Sequence, residues 1–154
     1  MKVLMNKRFD KFIVAIFIIM VIAALVLRVL QVVRSPKNVV IEIGNQTILA
    51  EVAKTETQRA KGLAGRKNMK ENQGMLFIFE DADKRVFWMR GMKFPLDFIW
   101  IRGNEIRDLS PDVPASYPSL LTPREEVDKV LEVNVGFIDK YHVKIGDKVS
   151  IDKK

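Results

Sequence analysis

Val39 to Val52 reads VVIEIGNQTILAEV, two apolar stretches on either side of Gly44-Asn45. The flanks are rich in β-branched residues, and Gly and Asn supply the positive φ of a tight turn, so the stretch predicts a β-hairpin. The same pattern recurs where Leu96–Ile101 and Glu105–Leu109 flank Gly103-Asn104. Between the two, Thr55-Glu56-Thr57-Gln58 has the spacing of a capping box, which predicts a helix over 56–62 ending near Gly62 or Gly65. Arg66 to Gln73 reads as a polar loop. Met75–Phe79 and Val86–Met89 are short aromatic runs that predict buried strands, separated by an acidic turn at Glu80 to Asp83. Residues 110–123 contain Pro111, Pro114, Pro118 and Pro123, which predicts a long irregular loop. Val130–Val133 predicts a strand, 135–142 a short helical piece, and 148–151 a last strand after Gly146-Asp147. Strands this frequent, with small helices between them, predict a mainly β fold with minor α content. The expected form is a compact β-barrel or β-sandwich with one or two short helices, not a doubly wound sheet.

Upstream, Phe12 to Leu27 runs FIVAIFIIMVIAALVL without a charge, and after Arg28 the apolar character continues through Val33. At about 1.5 Å per residue, 12–33 spans roughly 33 Å, against a hydrocarbon core of about 30 Å. Arg28 stands near one end, where its stem can carry the guanidinium to the headgroups. A cleaved signal peptide is the competing reading, but Ala23 and Ala24 lie inside the apolar run and no small-residue cleavage site follows. The expected organisation is a basic cytoplasmic tail over 1–11, a transmembrane anchor over 12–33, a linker over 34–38 and a β-rich domain over 39–154. The balance of flanking positive charge favours a cytoplasmic N-terminus and a domain outside the cytoplasm.

The net charge of +7 is concentrated beside that segment. Residues 1–37 carry seven basic side chains against Asp10, which leaves 19 basic and 18 acidic residues in 38–154. A domain that neutralises phosphates needs a basic face, so no nucleic-acid partner is expected. The lipid bilayer is the expected partner of 12–33. With no cysteine, disulfide and thiolate chemistry is excluded, and one histidine, His142, restricts zinc and triad chemistry. Asp81 and Asp83 lack calcium-loop spacing, and Gly62-Leu63-Ala64-Gly65-Arg66 lacks the length and lysine of a phosphate loop. No metal and no cofactor is expected.

In order along the chain stand Thr55, Gln58-Arg59, Gly62-Leu63 and Arg66, then Gly74–Phe79, Phe87-Trp88-Met89 and Pro95-Leu96-Asp97. Val130–Val133, Gly136 and Ile145-Gly146-Asp147 complete the series. This series resembles the domain-of-unknown-function family 192 of bacteria and archaea, over about residues 39–151. The resemblance implies a single small β-rich domain, often behind a signal peptide or anchor, and no established activity. One departure is local: members usually carry Lys-Asn-Thr after Trp-Met, where this chain has Arg90-Gly91-Met92.

The most suggestive polar-aromatic group is Trp88, Arg90 and Asp97, with Arg66 and the proline-rich loop bearing Tyr117 as further candidates. An aromatic platform flanked by charge suits a small polar ligand. The competing reading makes Trp88 a core residue and Asp97 a turn cap or ion-pair partner. Asp97 and Glu132 are the carboxylate pair that a hydrolase, acting on glycans for instance, would use. Glu132 alternatively faces solvent or satisfies an arginine. The expected function is a membrane-anchored envelope domain that binds a small polar ligand or an envelope protein. A hydrolase and a purely structural partner-binding domain are the alternatives.

Overall fold

The computed structural model describes residues 7–33 and 38–153, with side chains described over 13–27 and 38–152. Residues 1–6 of the expected tail and 34–37 of the expected linker lie outside the described residues. The chain divides into two units between residues 35 and 36.

The first unit holds helix α1, Lys7–Val33. Every described side chain from Ile13 to Leu27 is exposed and uncharged. Among the described residues, however, no helix is long and apolar enough to cross a membrane. The portion with described side chains spans about 22 Å at 1.5 Å per residue, short of a hydrocarbon core of about 30 Å. The transmembrane helix expected over 12–33 is therefore recovered as a helix and not as a span.

The second unit is one seven-stranded sheet. Its strands are β1 (Asn38–Ile43), β2 (Gln46–Ala53), β3 (Gln73–Asp83), β4 (Leu96–Arg102), β5 (Glu105–Val113), β6 (Val127–Asn134) and β7 (Val149–Lys153), in the spatial order β5-β4-β6-β3-β2-β1-β7. Both tight turns are where Gly44-Asn45 and Gly103-Asn104 place them, with Gly44 and Gly103 at φ of 56° and 62°. Between β2 and β3, which run parallel, lies α2 (Glu56–Lys61). Its capping box is formed: the Gln58 amide donates to Thr55 Oγ1 at 3.2 Å, and the Thr55 amide donates to Gln58 Oε1 at 3.0 Å. A second short helix, α3 (Phe137–Lys140), follows Gly136.

The sheet is a half-barrel, neither closed nor a sandwich. All seven strands contribute to one apolar cluster, with Ile41, Leu76, Ile99, Ile106, Leu131 and Val149 among them, and Phe137 and Ile138 of α3 pack into it. The two edge strands are pinned together at one end only, where Ile106 exchanges hydrogen bonds with Asp147 and Gly146 and the Val149 amide donates to the Asn104 carbonyl. A second cluster covers the opposite face of the middle strands with Leu63, Phe77, Met89, Phe98, Trp100 and Val130. β4 is consequently buried from Leu96 to Ile101 without alternation, as expected for a strand covered on both faces. Gly74 on β3 is needed for this packing, since a Cβ there would lie 2.8 Å from the Glu132 carbonyl oxygen.

Three local expectations are corrected. Glu80 to Asp83 is the end of β3 and not a turn, reaching Asp83 opposite Val127 after an irregularity beyond Ile78. Val86 to Met89 is not a strand. It crosses the second cluster as a strap held by one bridge, Phe87 to Leu121. The proline-rich loop begins later than expected, because β5 continues through Pro111 to Val113.

Asp97 is fully buried in β4, and its two oxygens accept from the Asp112 amide at 2.9 Å and the Ile138 amide at 2.8 Å. Asp112 has φ of 54°, a left-handed conformation that this bond helps hold. One side chain thus fastens α3 and the end of β5 to the middle of the sheet. Asp97→Asn exchanges one acceptor for a donor facing an amide, and is expected to lower unfolding free energy by about 1–3 kcal/mol. Urea unfolding of the full chain checks this, and unchanged stability would show that the clamp is dispensable.

Candidate functional site

The face opposite the half-barrel interior carries a cleft of about 260 Å³. One wall is α2 and its exit, with Arg59, Lys61, Leu63 and Ala64, and the other is the strap, with Val86, Trp88, Arg90 and Met92. The Gly65 amide donates to the Gly91 carbonyl at 2.9 Å, tying the two walls together. Phe77 and Phe79, two residues apart on β3, and Phe87 form the apolar lining. Phe87 meets Phe77 edge-on at 4.9 Å between centroids and Trp100 at 5.5 Å, so the lining is continuous with the core. The guanidinium of Arg59 lies 4.9 Å from the Phe79 centroid and donates to the Ile78 carbonyl, which fixes it against the ring.

Glu132 of β6 also lines the cleft and is 5% exposed. Among the described residues its Oε2 has no hydrogen-bond partner. Burial pushes its carboxyl up to about 8, against the opposing pull of the Arg66 charge, so that the neutral acid predominates at pH 7. Arg66 is committed elsewhere: its two terminal nitrogens bind both oxygens of Glu51, one at 2.7 Å. That pairing holds the Glu51 carboxyl below its ordinary range, through the hydrogen bond from Arg66 first. Glu51, Met75, Glu132 and Phe98 stand in register across β2, β3, β6 and β4, so Arg66 engages the acid at the outer end of the row and leaves the inner one unpartnered.

The structure brings together only part of the expected group. Trp88 and Arg90 share the cleft, and Trp88 is 50% exposed, so it is not a core residue. The buried indole is Trp100, which donates to Ser110 Oγ at 2.9 Å. Arg66 is not among the lining residues, and neither is Tyr117, whose amide closes a turn onto the Pro114 carbonyl. Asp97 and Glu132 do not form a pair. Asp97 stands opposite Val133 and Phe98 opposite Glu132, so alternation along β4 and β6 sends the two carboxyls to opposite faces. A retaining or inverting glycosidase pair needs both on one cleft. His142 lies outside the cleft, at φ of 54° after α3. Among the described residues no cluster of three or more His, Asp or Glu is placed to hold a metal ion.

Sequence reasoning missed Arg59, Phe79, Phe87 and Met92 as cleft residues. The usable signals were the two-residue spacing of Phe77 and Phe79 and the alternation Val86-Phe87-Trp88-Met89-Arg90.

The family model DUF192, described as an uncharacterised ancient conserved region, matches residues 39–151. Two solved structures share the fold. One is a Sinorhizobium meliloti protein described as a candidate transcription regulator, 27% identical, with TM-score 0.70 over 76% of this chain and 94% of that one. The other is a Novosphingobium aromaticivorans protein of unknown function, 28% identical, with TM-score 0.68 over 73% and 83%. No curated protein matches.

The raised carboxyl of Glu132 makes stability depend on pH in a definite direction. In the unfolded chain this group ionises near 4.5 and in the folded domain near 8, so the folded state holds the extra proton between those values. The contribution is fully present below about pH 4.5 and is lost as pH rises towards 8, by on the order of 1 kcal/mol per pH unit. Denaturation of wild type and Glu132→Gln across pH 5–8.5 is expected to show this decline in wild type only. Parallel curves would refute the assignment.

Proposed function

The chain belongs to the uncharacterised family DUF192, and for this member we propose a small-ligand-binding domain carried on a membrane by its apolar N-terminal helix. One observation carries the binding reading: a buried, unpartnered carboxyl oxygen at an aromatic cleft that is open to solvent. A buried polar atom without a partner costs roughly 1–3 kcal/mol, and a ligand group that bonds it recovers that cost. Trp88, Arg90, Arg59 and Glu132 are the side chains assigned to binding. Asp97 is assigned to the clamp, and Tyr117 and Arg66 are not assigned to the ligand. The glycan-hydrolase alternative lacks its second carboxylate and is not proposed.

The membrane reading rests on the run 12–27 and on the fully apolar, exposed surface of 13–27, which suits lipid better than water. The balance of flanking positive charge favours a domain outside the cytoplasm. A role in transcription is said of the Sinorhizobium protein alone, and the near-neutral charge of 38–154 gives no reason to extend it.

Both halves of the proposal are open to direct test. Saturation-transfer NMR of the full chain in lipid nanodiscs against small aromatic fragments is expected to yield ligands that shift the Met92 methyl. Trp88→Ala is expected to weaken them by about tenfold or more, the equivalent of roughly 1.4 kcal/mol. If no fragment reaches Met92, the binding reading is wrong. In cells the chain is expected to stay with membranes through alkaline carbonate, with its domain open to protease from outside. Release into the soluble fraction would overturn the anchor.

A further inference from the structure

Building on the ligand-binding reading of this cleft, we propose that its ligand is a single-ring hydroxyaryl acid. The anionic group is bound at the mouth by Lys61 and Arg90, and the hydroxyl is hydrogen-bonded to Glu132 at the floor. Three observations converge on that class. Size comes first: the cleft holds about 260 Å³, and a cavity of about 150 Å³ accepts benzene, so one ring with short substituents fits. The walls come second. Phe77, Phe79, Phe87 and Trp88 offer ring faces and edges, the surroundings in which an aromatic body gains most.

Polarity comes third, and it runs from one end of the cleft to the other. At the mouth the charged lining residues are Arg59, Lys61 and Arg90 against Glu56, an excess of cations. Arg59 is already bonded to the Lys54 and Ile78 carbonyls, whereas Lys61 and Arg90 are exposed and, among the described residues, form no ion pair. An anion is the group that such a mouth attracts, and a cation is the group it repels. At the floor stands Glu132, whose buried Oε2 has no hydrogen-bond partner among the described residues, which calls for a neutral group able to donate or accept a hydrogen bond. A second anion there would meet a side chain with no basic partner of its own. The ligand is therefore acidic at one end and hydroxylated at the other, with a ring between.

Four probes of one size separate the elements of this proposal. They are 3-(4-hydroxyphenyl)propionate, 3-phenylpropionate, 3-(4-hydroxyphenyl)propan-1-ol and tyramine. Each is titrated into the full chain in nanodiscs at pH 6.5, with the Met92 methyl as the cleft reporter and the buried Met89 methyl as the check on folding. The hydroxyaryl acid is expected to bind at least about tenfold tighter than tyramine and than the acid without hydroxyl. The double variant Lys61→Gln/Arg90→Gln, both at exposed positions, is expected to abolish the preference for the acid over tyramine and over the neutral alcohol. Glu132→Leu is expected to abolish the preference for the hydroxyl and leave the charge preference intact. If probes bind without regard to charge, or without regard to the hydroxyl, the assigned class is wrong while the cleft remains a binding site. If none of the four moves Met92 while other aromatic fragments do, the assigned class is wrong and the binding reading stands; if no fragment does, both fail. Should Glu132→Leu lose the Met89 signal of the folded domain, the charge comparison in the double variant still decides.

Discussion

Burial of the middle strands on both faces is the constraint from which the rest of this domain follows. β3, β6 and β4 are covered on one side by the half-barrel interior and on the other by α2, the strap and the loops. A polar side chain in the buried stretch of these strands must be satisfied on whichever face its register assigns. Two carboxyls test the rule from adjacent rungs. Asp97 points into the interior cluster and meets two amide donors. Glu132 points the other way, and the nearest arginine charge is held by Glu51. The same sheet thus turns one acid into a fastening and leaves the other neutral and available.

That difference explains why the turns and the helix cap were legible in the sequence while the site was not. Gly44-Asn45, Gly103-Asn104 and Thr55/Gln58 act through their own backbone and a neighbour three residues away, so a few residues suffice to read them. Glu132 sits in Val-Leu-Glu-Val, where the alternating character suggested a solvent-facing acid. Its burial depends on what lies above β6, which is set by α2 and the strap from distant parts of the chain. Pairing Asp97 with Glu132 failed for a related reason. Two acids on neighbouring strands face together or apart according to a one-residue difference in register, which composition does not reveal.

The strap shows how an apolar run can mislead about structure and still inform about function. Val86 to Met89 has the aromatic, β-branched composition of a strand, yet its bridge, Phe87 to Leu121, is to a residue between β5 and β6 and not to the sheet. Its backbone nevertheless alternates. Phe87 and Met89 turn inward, while Val86, Trp88 and Arg90 remain exposed. Period-two patterning here reflects a covered chain with one wet side, whatever its hydrogen bonding. The aromatic run suggested a strand, and the alternation within it is the feature that delivers Trp88 and Arg90 to the same mouth.

The strap ends at Gly91, with φ of 78°, a conformation that favours glycine. This is the middle position of the local departure from the family, where the resemblance implies asparagine. Asparagine is among the non-glycine residues that enter positive φ most readily, so either residue lets the strap turn back and bring its carbonyl to the Gly65 amide. The exchange therefore preserves the backbone geometry that closes the cleft and changes the chemistry presented beside it. An Asn side chain at 91 would bring an amide to a place where this chain has none, since a Cβ there would have only the Ala64 methyl within 4 Å. In this chain the polar character at the mouth consequently falls to the cations Arg90 and Lys61. The frame of the cleft belongs to the fold, and in the ligand-binding reading proposed here its selectivity falls to Arg90 and Lys61.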